Sequence, residues 1–284
     1  MRMIFQNKQL AYEFNKNGFC VIPNFLASEQ LLKIDNIYDE LGLDKLTEIY
    51  SNIKDRDTAV NEQIDTSLVE IYKPSLQKHF INYRTGGGAF LIKGTGESSV
   101  SSLHQDWNVV DETKFQSMCV WCPLVDVDQE NGCIQVVSGT HKWFNSIRSI
   151  NIPSIFINFE DVKDRLVSIP AKRGDAVVFS HNIFHGSLPN NSTHIRPAAS
   201  VSVLTKGAEV IHYYKVENEI HILHAENFFN DTVHQLFQQV NAPLQVLRRE
   251  KLDEKKIITQ ESFKQMYKRK SNPINKLIDF FIGN

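Results

Sequence analysis

Cysteine is scarce in this 284-residue sequence, with only 4, at Cys20, Cys119, Cys122 and Cys133, each in an apolar setting. So few cannot build the disulfide framework that staples small secreted domains, and reduced, buried thiols are expected. Cys119 and Cys122 form a C-x-x-C within MCVWCPL. That run is β-type, so residues three apart point to opposite faces, and no second pair completes a zinc knuckle. Long hydrophobic runs are missing as well. No stretch reaches the roughly 18 unbroken apolar residues of a membrane span, and the opening MRMIFQNKQLAYEFNKNGF is broken by polar residues before a signal-peptide core can form. The final FIGN does not spell the S-K-L of peroxisomal import. Neither sign of charge dominates: 31 Lys and Arg stand against 33 Asp and Glu, for a net charge of −2. Such a balance gives no global pull toward nucleic acid or anionic membranes. The expectation is a cytoplasmic protein that acts on a small molecule, without nucleic acid and without a membrane span.

What is present is ordinary globular composition, 42% hydrophobic and 23% charged, enough to bury a large core. Apolar residues at helical spacing predict helices over 6–17 and 28–41, the second with Ser28 as its N-cap and Glu29 in its first turn. Between them GFCVIPNFL reads as a strand ending at Pro23. Residues 44–70 are polar and without pattern, which suggests a lid or long connection. From 80 to 224 short β-type runs alternate with Gly, Pro, Asn and Asp and have no long helices between them, the pattern of an antiparallel barrel or jelly roll. After 225 helical spacing returns in FFNDTVHQLFQQV, followed by the charged RREKLDEKKIITQESFKQMYKRK. That basic stretch reads first as a solvated helical face or frayed connection, and second as a docking site for an acidic partner. The amphipathic INKLIDFFIGN is expected to pack on the body or on a second copy, giving a homo-oligomer through C-terminal helices. The whole is expected to be one domain over 1–284, with N-terminal helices, strand and lid over 1–80, a β core over 80–224 and a helical extension over 225–284.

The chemistry concentrates in two places. In SSLHQDWNVVDE, His104 and Asp106 lie two apart on an extended backbone and can turn toward one point. His-x-Asp alone is a weak signal, since many chains carry it by chance. The second place is DAVVFSHNIFHGSLPNNSTHIRPAASVSV, where a strand runs into a loop bearing His181 and His185 and returns after Arg196. If either histidine joins the first pair, the set is two imidazoles and one carboxylate, the facial triad of non-haem Fe(II), which leaves three positions open. Open positions suit O2 and an electron-donating cosubstrate, and Arg196 would hold such a cosubstrate's distal carboxylate in a bidentate pair.

With these pieces in order, the chain resembles the phytanoyl-CoA dioxygenase family of Fe(II)/2-oxoglutarate-dependent oxygenases. The resemblance rests on GFCVIPNFL, the HQD of 104–106, the W-x-P-L-V-D-V-D-x-E-N-G-C strand and turn, S-G-T-H-K, R-G-D-A-V-V-F, the H-G-S of 185–187 and Arg196, spanning about 18–205. It implies a mainly β fold with flanking helices around a double-stranded β-helix, the cupin-like jelly roll. It selects His185 over His181 as the third metal residue, beside His104 and Asp106. It also implies that Arg196 and Ser187 meet the 2-oxoglutarate carboxylate and that Gln105 and Trp121 line the cosubstrate site. His181 then reads as a loop or core residue and His141 as a hydrogen-bonding one.

The implied cofactors are Fe(II), 2-oxoglutarate and O2, and the implied reaction is hydroxylation of an unactivated C–H with release of succinate and CO2. Related halogenases carry a small residue where Asp106 stands, so the carboxylate disfavours halogenation. A jelly roll that binds a metal or small acid without turnover is the alternative. Substrate choice is expected to fall on loops 44–75, 83–98 and 142–165. Arg84, Lys93, Lys142 and Arg148 are the cations that could meet an anionic substrate there, with solvated surface charge as the ordinary alternative.

Overall fold

The computed structural model describes residues 4–43, 46–54, 58–226 and 245–271. Helix α1 (Lys8–Asn17) is capped by Asn7, whose Oδ1 accepts from Gln9 N–H at 2.8 Å, and it stops at Gly18, whose φ of 85° closes the helix in the left-handed region. Strand β1 (Phe19–Ile22) follows, then α2 (Ser28–Glu40). Ser28 is the first helical residue of α2, not its cap. The Gln30 side chain reaches back instead to accept from Ala27 N–H at 2.9 Å.

The stretch expected to be a patternless lid holds β2 (Ile49–Ser51) and a long helix, α3 (Thr58–His79). Ile64, Leu68, Tyr72 and Leu76 recur every four residues along α3, and all are buried. That stripe is a core-facing helical face, and Tyr72 fixes it by donating its hydroxyl to Ala199 O at 2.9 Å.

Ten strands follow α3 before residue 225: β3 (Tyr83–Lys93), β4 (Ser101–His104), β5 (Ser117–Pro123), β6 (Ile134–Val137), β7 (Leu166–Ile169), β8 (Ala176–Ser180), β9 (His185–Ser187), β10 (Ala198–Thr205), β11 (Ile211–Val216) and β12 (Glu219–His224). The sheets run β1-β8-β5-β10-β3-β2 and β4-β9-β6-β7, antiparallel throughout, which is the jelly roll that the β pattern predicts. Cys119, Trp121, Val177 and Phe179 of the larger sheet pack against Ile134, Val136 and Ile169 of the smaller. The larger sheet's other face, with Met118, Val120 and Cys122, packs against Ile34, Leu68 and Leu76 of the helices. Both faces of β5 are therefore covered, which is why all seven of its residues are buried. Cys119 and Cys122 point to opposite faces, and all four thiols are free and buried.

The C-terminal charged run departs from the helical expectation. Val246–Lys251 is a strand, β13, paired with β12 in a third sheet, β11-β12-β13. An edge strand needs only its backbone partners, so its charged side chains stay in water. Leu247, Leu252 and Ile257 meanwhile pack on a cluster of Ile211, Ile220 and Ile222. Helix α4 (Gln260–Ser271) buries Phe263 against Trp143 and Phe184 and leaves Lys264, Lys268 and Arg269 exposed. The segments 228–240 and 274–284, and with them the proposed pairing through C-terminal helices, lie outside the described residues. No helix among the described residues is long and apolar enough to cross a membrane.

Candidate active site

Strands β4 and β9 build the centre of the site. In their antiparallel register His104 stands directly opposite His185, so both side chains leave the same face, with ring centroids 4.6 Å apart. Gly186 allows this approach, since a Cβ there would run into the carbonyl of Ser101. Beyond β4 the chain turns, with Asp106 N–H bonded to His181 O at 3.0 Å. This brings Asp106 Oδ1 to 3.9 Å from His104 Nε2 and 3.7 Å from His185 Nε2. The candidate donor atoms of His104, Asp106 and His185 all lie within 4.8 Å of one another. Gaps near 4 Å are too long for hydrogen bonds among the three and leave room for an ion between them.

The protonation states also suit a metal. His104 Nδ1 bonds Ser102 O at 2.7 Å and His185 Nδ1 bonds Ile183 O at 3.1 Å. A carbonyl can only accept, so each Nδ1 carries a proton, and in a neutral ring it is Nε2 that presents the lone pair. Burial pushes the His185 pKa down to about 4, so that ring is neutral at pH 7. Burial pushes Asp106 up, but His185, His181, His104 and Arg148 outweigh it and hold the carboxylate below its ordinary range. An ionised carboxylate beside imidazole lone pairs is a hard-to-borderline donor set that fits Fe(II).

The three residues line a cavity of about 740 Å3. Arg196, Ser187, Gln105 and Trp121 line the same cavity, so every site residue expected from the sequence meets there. Arg196 is buried at 4% exposure, its guanidinium lies 5.0 Å from the centroid of the Trp121 ring, and its Nε and Nη1 have no hydrogen-bond partner among the described residues. Buried donors without acceptors call for a ligand's oxygens. The Gln105 amide donates to Asn182 O, which fixes its side chain at the wall.

His181 also lines the cavity, buried, but it stays outside the three-residue cluster. His141 bonds Asn15 O through Nε2 at 3.1 Å, far along the chain from the cluster. Among the cations read as surface charge, Arg84 pairs with Glu226 and Lys142 is exposed, but Lys93 and Arg148 are buried. Trp107 and the exposed Phe156, whose ring centroid is 6.5 Å from that of His104, are cavity residues that the sequence reading passed over. Trp107 follows Asp106 directly, and that adjacency was the one available signal.

Fold and donor chemistry together define a class, the dioxygenases that draw on Fe(II), 2-oxoglutarate and O2. Residues 14–198 match the family model described as phytanoyl-CoA dioxygenase, and the chain belongs to that family. It is 24% identical over 240 residues to the peroxisomal phytanoyl-CoA dioxygenase of Bos taurus, covering 72% of this chain and 69% of that one. It is likewise 24% identical over 214 residues to the dioxygenase olcK of Penicillium canescens, covering 66% and 67%. HygX of Streptomyces hygroscopicus, solved with nickel and 2-oxoglutarate bound, shares the fold at 15% identity and a TM-score of 0.50, covering 69% of this chain and 86% of that one.

Proposed function

We propose that His104, Asp106 and His185 hold Fe(II) in this dioxygenase, that Arg196 and Ser187 take the far carboxylate of 2-oxoglutarate, and that the enzyme hydroxylates an unactivated C–H of a small molecule. The observation that carries this reading is the cross-strand pairing of His104 with His185, with Asp106 turned back to within 4 Å of both. When bound, the iron with 2-oxoglutarate and O2 supplies the oxidation: one oxygen atom goes to the substrate and the other to succinate, with CO2 released.

The chain supplies everything else. Two imidazoles and a carboxylate would hold the ion at the wall of the cavity that all three line. The Arg196 guanidinium, over the Trp121 ring, offers donors to a planar carboxylate, and Ser187 lines the same cavity. Gln105 and Trp121 fix the shape of the cosubstrate end. Leu91, Val109 and Phe179 add apolar wall to the same cavity. The cavity draws residues from Glu48 through Ser202, which supports one oxygenase unit with a C-terminal extension.

The test is an anaerobic titration of metal-free protein with Fe(II) and 2-oxoglutarate, read by the visible charge-transfer band of the chelated 2-oxo acid. The band is expected in the wild-type protein and is expected to be lost in His185→Ala. Its absence in folded wild-type protein would instead favour a binding barrel without turnover.

A further inference from the structure

Arg196 is not the only buried cation at the cosubstrate end. Lys93, the last residue of β3, forms an isolated antiparallel bridge with Arg196, just ahead of β10: Lys93 N–H donates to Arg196 O at 3.0 Å and Arg196 N–H donates to Lys93 O at 2.9 Å. Residues that exchange both bonds stand directly opposite, and their side chains leave the same face. Both line the active-site cavity, and they are exposed by only 1% and 4%. Among the described residues, neither cation has an ion-pair partner. Like charges opposite one another are destabilising, and in a buried setting more so, unless an anion lies between them.

The Lys93 ammonium is also fixed in place. Two of its three protons go to the carbonyls of Ser99 and Leu188, the latter at 2.9 Å, which leaves one donor. Its stem passes under Gly132, whose φ is +78° and where a Cβ would meet Lys93 Cδ at 2.8 Å and Leu188 O at 2.7 Å. Any side chain at 132 would push the ammonium away, so the E-N-G turn, read from sequence only as a strand connection, boxes the lysine against the cavity.

We propose that Lys93 is a second binding residue for the anionic cosubstrate and shares the far carboxylate of 2-oxoglutarate with Arg196. The proposal rests on the oxygenase reading above. Burial first, and the Arg196 charge second, push the Lys93 ammonium down to about 7, as expected of a cation held for an anion that arrives later. A solely structural lysine, tying Ser99 to Leu188, would have no reason to stand opposite an unpaired guanidinium.

The experiment is calorimetric titration of Mn(II)-loaded protein with 2-oxoglutarate and with 2-oxobutyrate, which has the same chelating head but lacks the far carboxylate. In Lys93→Met, affinity for 2-oxoglutarate is expected to fall roughly tenfold or more, the scale of a lost charge-assisted bond, with 2-oxobutyrate unchanged. Lys93→Gln, which can still donate to both carbonyls, is expected to show the same selective loss and serves if the Met variant does not fold. Equal weakening of both acids, or no weakening of either, would overturn the proposal. Wild-type protein that binds neither acid would instead overturn the oxygenase reading beneath it.

Discussion

The side chain of Arg148 holds the main chain of Asp106: Nε donates to the Asp106 carbonyl oxygen at 2.5 Å while Nη2 meets the Glu112 carboxylate at 2.6 Å. Arg148 is buried and Glu112 is largely covered, at 8% and 11% side-chain exposure. Arg148 N–H further donates to Asn108 Oδ1 at 2.7 Å, and Asn108 N–H returns to Arg148 O at 3.2 Å. The segment from Asp106 to Glu112 is thus clamped to the loop that also carries Ser154 and Phe156 into the cavity.

Removing one partner of that pair leaves a buried charge unmatched. Arg148→Gln is expected to cost about 3–5 kcal/mol of stability in urea unfolding and to weaken Fe(II) binding as Asp106 loses its anchor. The double variant Arg148→Leu with Glu112→Leu should regain much of the stability, since apolar pairs often replace buried ion pairs at little cost. It should not regain metal affinity. Recovery of both together would mean that Asp106 is placed without help from Arg148.

His104→Ala, Asp106→Ala and His185→Ala are each expected to abolish the charge-transfer band and succinate release. Their circular dichroism should stay native, since no hydrogen bond joins the three side chains and the sheets around them are held by other residues. Iron binding that survives loss of any one of them would remove that residue from the set. Arg196→Ala should keep Fe(II) and raise the 2-oxoglutarate concentration needed for the band, which separates the two halves of the site.

The jelly roll was legible because its strands are short, apolar and punctuated by turn residues, and because period-two projection puts Cys119 and Cys122 on opposite faces. His104 and Asp106 were legible for the same reason. Helix α3 was misjudged although Ile64, Leu68, Tyr72 and Leu76 mark its buried face, because Pro74 and the polar residues between them masked the stripe. The charged run at 246–251 was misjudged in the other direction. Its strand is set by the backbone edge that β12 offers, a tertiary choice that local charge does not encode. Lys93 and Arg148 read as surface cations because burial of a charge depends on partners far away in the chain: the Leu188 carbonyl for one, Glu112 and the Asp106 carbonyl for the other.

His181 lines the cavity but stands outside the cluster of three. It supports Asp106 through its main-chain oxygen, which any residue supplies. His181→Ala is therefore expected to keep Fe(II) affinity within roughly threefold and to lose about 1–3 kcal/mol from the void it leaves in a buried wall. Iron titration of this variant, with loss of binding, would move the third imidazole from His185 to His181.

Acid should destabilise the protein through two buried histidines outside the cluster of three. Burial pushes His141 and His212 each down to about 4, against about 6.5 in an unfolded chain. Above pH 6.5 both are neutral in either state and full stability is present. As the pH falls below 6.5 the unfolded chain takes protons that the folded one refuses, and stability drains until about pH 4, where the folded rings also charge. Each histidine contributes a loss of roughly 2–3 kcal/mol by pH 4.5. Urea unfolding between pH 7.5 and 4.5 should show this fall, and His141→Gln with His212→Gln should flatten it. The same slope in the double variant would assign the acid sensitivity to the imidazoles around Asp106 instead, and added metal would then suppress it.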